Sequence, residues 1–396
     1  MLRPGTFGLT ALLAGLSAIG PLTTDLYLPS LPDIVRLLGA TPSQGQLTIS
    51  AYLIGFAAGQ IVYGPLSDRH GRKPVLLGAI ALYCFASLVC TLATSIQVLI
   101  AARVLQALGG CGGIVLARAV VRDLYAGARA GRELSMIGSV MALAPVLAPI
   151  AGGALHVAFG WRSNFFSVAA ASVLGGIVVW QLLPETLPQR SPPLSLATIL
   201  NSYRIIARDP RFFAYLGLAS GCYAGLFAWI SASSFVLQDL YGQPPFTFGV
   251  AFALASVGYM IGSTIAARLV VRLGIDRTIG IGGCALAAGG LGMAAALALG
   301  LTSAYSLVLP MALYLAGMGM VLPQSIAGAM TPFPERAGTA SALFGFGQQT
   351  TASLCGAIVG SMLGASAWPL AVAVSFTGCA TLVLWVLTRQ LRAQSA

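Results

Sequence analysis

The sequence predicts an all-α membrane protein with twelve transmembrane helices in two pseudo-symmetric six-helix bundles. Three observations carry that prediction. Hydrophobic residues fill 57% of the 396 positions and charged residues only 8%, whereas a soluble domain carries about 25% charged residues; a surface so poor in charge has to face lipid. Apolar runs of about 20 residues, the length that crosses a bilayer, recur twelve times. Basic residues fall almost wholly on alternate connections between those runs, as the positive-inside rule demands.

The runs lie at 7–29, 44–65, 75–94, 97–117, 134–156 and 164–184, and resume at 212–236, 247–267, 278–300, 304–325, 338–362 and 367–388. Arg3 followed by an apolar stretch imitates a signal peptide, but the stretch runs to Pro29 and more follow, so it reads as a retained first helix. With both termini in the cytoplasm, cytoplasmic segments hold 18 of the 21 Lys and Arg, the outer loops hold Arg36 and Arg162, and Arg103 lies inside a span. The 48 glycines sit within the runs, where small residues let helices approach closely.

The stretch 185–211 is polar, Pro-rich and basic, and too short to be a domain. It divides the chain into an N-terminal six-helix bundle (1–184), a cytoplasmic central loop (185–211) and a C-terminal six-helix bundle (212–396), with 194–208 a candidate surface-lying amphipathic helix. The halves echo one another. GPLSDRHGRKP at 64–74 follows span two, and ARLVVRLGIDR at 267–277 follows span eight; aligning Gly71 with Gly274 matches Arg69 with Arg272, while Asp68 becomes Val271. Transporters built from repeats show such weak symmetry.

Several function classes are disfavoured. A net charge of +11 would suggest nucleic acid in a soluble protein, but here the charge serves topology, and no nucleic-acid partner is expected. The seven cysteines lie in apolar segments without a CxxC pair, and His70 and His156 are far apart, so neither a disulfide framework nor a metal site is expected. No GxxxxGK[ST] loop is present to bind ATP. A membrane enzyme should show convergent His, Asp or Ser groups, and a passive channel needs no titratable group in its path, whereas Asp25 stands within span one, the one acid read as intramembrane.

The loop GPLSDRHGRKP resembles the signature of the major facilitator superfamily between helices two and three, G-x-x-x-D-R-x-G-R-[RK], at every fixed position: Gly64, Asp68, Arg69, Gly71, Arg72 and Lys73. RVLQALG at 103–109 resembles the helix-four motif, with Arg103 and Gln106 as its polar core. APVLAPIAGG at 144–153 resembles the helix-five antiporter motif, with Pro145, Pro149, Gly152 and Gly153 in place and Ala144 and Ala148 where many members have Gly. GWRSNF at 160–165 and PETL at 184–187 bracket helix six as in that family. TTDLYLPSLPDI at 23–34 and PERAGTASAL at 334–343 narrow the resemblance to twelve-helix drug:proton antiporters of the bicyclomycin- and chloramphenicol-resistance type (Bcr/CflA).

The resemblance implies a secondary transporter of the bacterial inner membrane, with the proton as coupling ion and no other cofactor, exporting small amphiphilic molecules such as antibiotics. The alternative is export of one metabolite or one antibiotic class. A monomer embedded in the bilayer is expected. Asp25, about one turn before the outer end of span one, is the candidate site where proton and substrate compete. Arg103 is its candidate modulator, the plainer alternative being an ion pair that locks helices one and four. Some relatives carry a second acid in helix one; here Asp25 stands alone there. The 64–74 loop is read as a gate, in which the resemblance has Asp68 dock near the start of helix eleven, around Arg336 to Thr339. The Pro and Gly of 145–153 are read as a bent seam. For the substrate cavity, aromatics with few polar anchors suit amphiphilic ligands, which nominates Tyr27, Tyr52, Phe56, Gln106, Tyr223, Phe227 and Gln348; packing is the competing role for each.

Overall fold

The structure, a computed structural model, describes residues 6–125, 127–187, 203–301, 303–333, 336–364 and 366–393. Every regular element among them is helical. The spans are α1 (Phe7–Tyr27), α2 (Pro42–His70), α3 (Arg72–Thr91), α4 (Ile96–Leu124), α5 (Gly127–Phe159), α6 (Arg162–Leu182) and α7 (Pro210–Phe235). One helical run, Pro245–Ala298, follows. Then come α10 (Tyr305–Met330), α11 (Ala337–Ser361) and α12 (Trp368–Leu387). Ten helices are long and apolar enough to cross a membrane on their own, the run of 54 residues being one of them. That run is two spans, because Gly274 at φ 78° and ψ 174° is non-helical and divides it into α8 (245–273) and α9 (275–298). With α11, whose middle carries Gln348, Gln349, Thr350 and Thr351, the spans number twelve.

Helix boundaries follow local chemistry. Thr41 caps α2 in a reciprocal box: its hydroxyl accepts from the Gln44 amide at 3.3 Å, and its own amide donates to Gln44 Oε1 at 2.9 Å. Pro42 occupies the first turn, where a missing N–H costs nothing. Ser95 caps α4 by accepting from the Val98 amide. The C-terminal end of α1 tightens into a 3₁₀ turn at Leu28–Ser30 and continues as a short helix, Leu31–Leu37.

The chain divides into two compact units, Met1–Leu194 and Ser195–Ala396. In the first, α4 packs on α1, α2 and α3, and α5 runs along α1. Small residues set the spacing. A Cβ on Gly55 of α2 would lie 2.5 Å from the Val104 carbonyl oxygen of α4, and one on Gly152 of α5 only 1.8 Å from that of Leu26 in α1. In the second unit α8 and α9 pack on α10, where a Cβ on Gly258 or Gly262 would meet the carbonyl oxygens of Ala312 and Ala316 at 2.0 and 1.9 Å. With lipid outside, close van der Waals packing of this kind holds helices together in place of a hydrophobic driving force.

The repeat alignment has a backbone counterpart. Gly71, between α2 and α3, has φ 100° and ψ 153°; Gly274, between α8 and α9, has φ 78° and ψ 174°. Both lie in a region almost reserved for glycine, so each half breaks its helix at the aligned position by the same device. Most of the candidate amphipathic helix at 194–208 lies outside the described residues; 203–206 are helical and Asp209 then caps α7, accepting from the Arg211 amide at 2.8 Å.

Candidate functional site

Two polar constellations occupy the N-terminal unit, one inside the bundle and one at the end that carries the 64–74 motif. The inner one centres on Arg103 of α4, which is fully buried. Its Nη1 donates to Gln106 Oε1 at 2.7 Å. The guanidinium carbon lies 4.5 Å from the centre of the Tyr27 ring and 4.2 Å from that of Tyr52, with Phe165 at 6.0 Å. Aromatic faces stabilise a desolvated cation by about 2 kcal/mol, and here they come from α1, α2 and α6. Gln106 passes the network on, its amide donating to Ser87 Oγ of α3 at 2.8 Å. The Tyr27 and Thr48 hydroxyls pair at 2.8 Å, and Tyr52 donates to the Gly20 carbonyl at 3.3 Å. Nε and Nη2 of Arg103 have no hydrogen-bond partner.

Asp25 is buried on the same helix as Tyr27, with 4% of its surface exposed. No ion pair joins it to Arg103, and it has no hydrogen bond to the described residues. The locking pair between helices one and four is therefore absent. Arg103 binds aromatic faces and an amide instead: Tyr27, which reaches it, lies two positions beyond Asp25, about 200° round the helix.

The cavity assignment changes as well. Tyr27, Tyr52, Phe56 and Gln106 are bundle core, none more than 7% exposed. Gln106 is spent on Arg103 and Ser87, and Phe56 stacks on Tyr52 and fills the gap over Gly20. Phe227 is also buried and packs on Tyr223 at 4.9 Å between ring centres. Tyr223 and Gln348 keep intermediate exposure, and Gln348 Nε2 is buried without a partner. An aromatic in an apolar run has the same sequence signature whether it faces a cavity or a neighbouring helix, and only packing separates the two.

The second constellation is built on the 64–74 motif. Arg72, at the start of α3, is its hub. Its Nε donates to Asp123 Oδ2 at 2.8 Å, and its Nη1 donates to Ser67 Oγ at 2.7 Å and to Asp68 Oδ1 at 2.5 Å. Asp123 ends α4 and also accepts from the Thr186 hydroxyl at 3.3 Å. Glu185 covers the open N-terminus of α3: the amides of Arg72 and Lys73 donate to its two oxygens at 2.9 and 3.2 Å, and those of Thr186 and Leu187 donate as well. Burial alone would raise the Glu185 carboxyl, but these four backbone N–H groups outweigh it and hold the group below the usual glutamate range. Lys73 Nζ donates to the Trp180 carbonyl at 2.7 Å, Arg69 is exposed, and Gly64 accepts from Ser67. The network stitches the ends of α2, α3, α4 and α6. Glu185 belongs to the PETL segment noted in the sequence; its target did not show there, because the amides it caps lie 112 residues or more away.

In α5, Pro145 and Pro149 are internal, Gly152 and Gly153 are buried, and Gly152 lies against Leu26 of α1. Besides Asp25, this unit holds a second buried acid. Glu133 of α5 is 9% exposed and accepts from the Thr10 hydroxyl of α1 at 2.6 Å. It escaped notice because it stands next to Arg132, in what reads as a basic cytoplasmic connection, while the helix in fact starts earlier. At the opposite end of α5 His156 Nε2 meets Asp33 Oδ2 at 2.7 Å. Among the described residues no group of three His, Cys, Asp or Glu is placed to hold a metal.

Comparison with known proteins agrees with this architecture. The family model described as Major Facilitator Superfamily matches residues 12–354. The chain is 33% identical over 347 residues to Multidrug resistance protein D of Escherichia coli (strain K12), covering 87% of this chain and 86% of that protein. It is 30% identical over 388 residues to the Bicyclomycin resistance protein homolog of Haemophilus influenzae (strain ATCC 51907 / DSM 11121 / KW20 / Rd), covering 97% and 96%. Its fold is similar to the in meso crystal structure of the POT family transporter PepTSo, with a TM-score of 0.79 at 14% identity over 100% of this chain and 99% of that one. Family model, relatives and fold agree with the motifs in the loops and the twelve spans, and the chain belongs to the major facilitator superfamily, a family of secondary transporters.

Proposed function

We propose that the protein exports amphiphilic small molecules, antibiotics among them, from the cytoplasm in exchange for protons, alternating access to the two sides of a bacterial inner membrane with both termini in the cytoplasm. The observation that carries this reading is Asp25: a carboxyl buried in the first span with no cation in contact. A charge at that depth costs about 2.5–3.5 kcal/mol near a helix centre and is kept where it works. Unpaired, it is free to take up a proton or engage a substrate. Arg103, held by its aromatic cage, acts at a distance, through its field and by fixing α1 through Tyr27. The names of the relatives, multidrug and bicyclomycin resistance proteins, support the substrate class. The 64–74 network serves as the gate, with Arg72 as the group whose pairings change.

Expression in an efflux-deficient host tests the reading. Resistance to at least one compound of a broad antibiotic panel is expected to rise and to collapse with an uncoupler. Asp25→Asn, at equal membrane abundance, is expected to abolish the gain. Undiminished export by that variant would remove Asp25 from the mechanism, and no change for any compound would favour the single-metabolite reading.

A further inference from the structure

We propose that Glu133 is a second proton-carrying carboxyl, the cytoplasmic counterpart of Asp25 along the seam between α1 and α5. The proposal rests on the proton-coupled reading above and adds the group that passes the proton inward.

Two contacts fix the seam. At its cytoplasmic end the Thr10 hydroxyl donates to Glu133 Oε2; toward its outer end the backbone of Gly152 lies against the Leu26 carbonyl. The contacts are 16 residues apart on α1 and 19 on α5, so the helices run parallel for roughly 25 Å at 1.5 Å per residue, most of the ~30 Å hydrocarbon core. Along that length α1 carries buried Thr10, Ser17 and Thr24, one every seventh residue, and then Asp25. At 100° per residue the three hydroxyls share one stripe, and Asp25 falls within about 60° of Thr10. The seam thus has an acid at each end, and the first helix carries hydroxyls between them.

Glu133 is poorly explained as a structural residue. It is the seventh residue of α5, beyond the first turn where a helix N-terminus rewards a carboxylate. Among the described residues it makes no ion pair, and its hydrogen bond is the one from Thr10. Among the described residues no charged group on the elements around it forms an ion pair with it. Arg118 and Arg122 of α4 and Arg129 and Arg132 of α5 each keep exposed surface, with Arg129 over the Tyr125 ring. Asp123 is held by Arg72, and His156 and Arg162 belong to the outer ends of their helices. A buried acid with one hydroxyl for company is costly unless it can be neutral, and an apolar residue would pack there at no such cost. In the step inferred, the Asp25 carboxylate takes a proton from the outer side and gives it up along the seam, the Glu133 carboxylate receives it, and Glu133 releases it to the cytoplasm. Both acids end as the carboxylates they began as, and one proton has crossed inward.

Everted membrane vesicles holding the full-length protein test this, with acridine orange reporting the proton gradient. The probe is chloramphenicol, or the panel compound that the wild type exports best. Substrate-induced proton release from the vesicles is expected to fall at least tenfold in Glu133→Gln, while exchange of labelled for unlabelled probe, which needs no net proton movement, stays within twofold of wild type. Wild-type proton release in Glu133→Gln overturns the proposal and leaves Asp25 standing. Absence of probe-induced release from the wild type overturns proton coupling itself, and this proposal with it. If Glu133→Gln does not accumulate, Glu133→Asp, which draws the carboxyl back by one methylene, is expected to keep coupled transport with a shifted pH profile; an unchanged profile overturns the proposal.

Discussion

Arg103 shows how a buried charge can be kept for reasons other than stability. Its cage of Tyr27, Tyr52 and Phe165 and its hydrogen bond to Gln106 offset part of the cost of burial, but Nε and Nη2 remain unsatisfied. An unsatisfied buried donor costs about 1–3 kcal/mol, and replacing buried charge by an apolar side chain of similar volume is often neutral or stabilising. Arg103→Met is therefore expected to keep thermal stability within about 1 kcal/mol of wild type, or to raise it, while transport drops at least tenfold. Thermal unfolding in detergent beside vesicle transport checks both halves; a large loss of stability would show Arg103 to be a structural clamp. In the sequence Arg103 and Gln106 were readable as a polar pair on one helix face. That three aromatics from three other helices close around them was not, because those contacts span 51 to 76 residues of chain.

At the scale of the helix, the two glycine breaks are a natural comparison. Gly71 and Gly274 share a backbone conformation that a Cβ opposes, a strain of about 1–3 kcal/mol. Their surroundings differ. Around Gly274 nothing lies within 4 Å of an added Cβ, whereas at Gly71 it would come within 2.6 Å of Glu185 Oε2 and dislodge the cap of α3. Gly274→Ala is expected to cost only the backbone strain. Gly71→Ala is expected to cost at least 1 kcal/mol more, because it also strips Glu185 from the amides of Arg72 and Lys73. Unfolding midpoints of the two variants check the order, and equal losses would mean that the Glu185 cap contributes nothing. The alignment of the two loops came from sequence alone. The unequal load on the two glycines depends on a side chain more than a hundred residues away and has no trace in the local pattern.

For the whole molecule the expectation concerns topology. With 18 of the 21 basic residues on one side, the positive-inside bias places the connection at Gly39–Thr41 outside and the loop at Gly71 inside. An alkaline phosphatase fused after Ala40 is expected to be active, and one fused after Lys73 at least tenfold less so; the reverse pattern would invert the orientation and with it the direction assigned to Asp25 and Glu133. The spans read from hydropathy fall within a few residues of the helices, except where helices run past the apolar core. The helix of α5 begins at Gly127, seven residues before the apolar run that marks it, and that early start is what draws Glu133 into the fold.

The sequence by itself determined the number of spans, the family and the residues of the loop motifs, since each of these depends on local composition and short spacing. Tertiary structure decided the partners: that Arg103 is caged by rings and not paired with Asp25, that Gln106 and four of the proposed cavity aromatics are packed in the bundles, that Glu185 caps α3, and that Glu133 is buried against Thr10. In a membrane helix every face is apolar, because lipid and protein interior reward the same side chains. Periodicity therefore does not say which face meets a neighbour, and only packing reveals which polar groups are enclosed together.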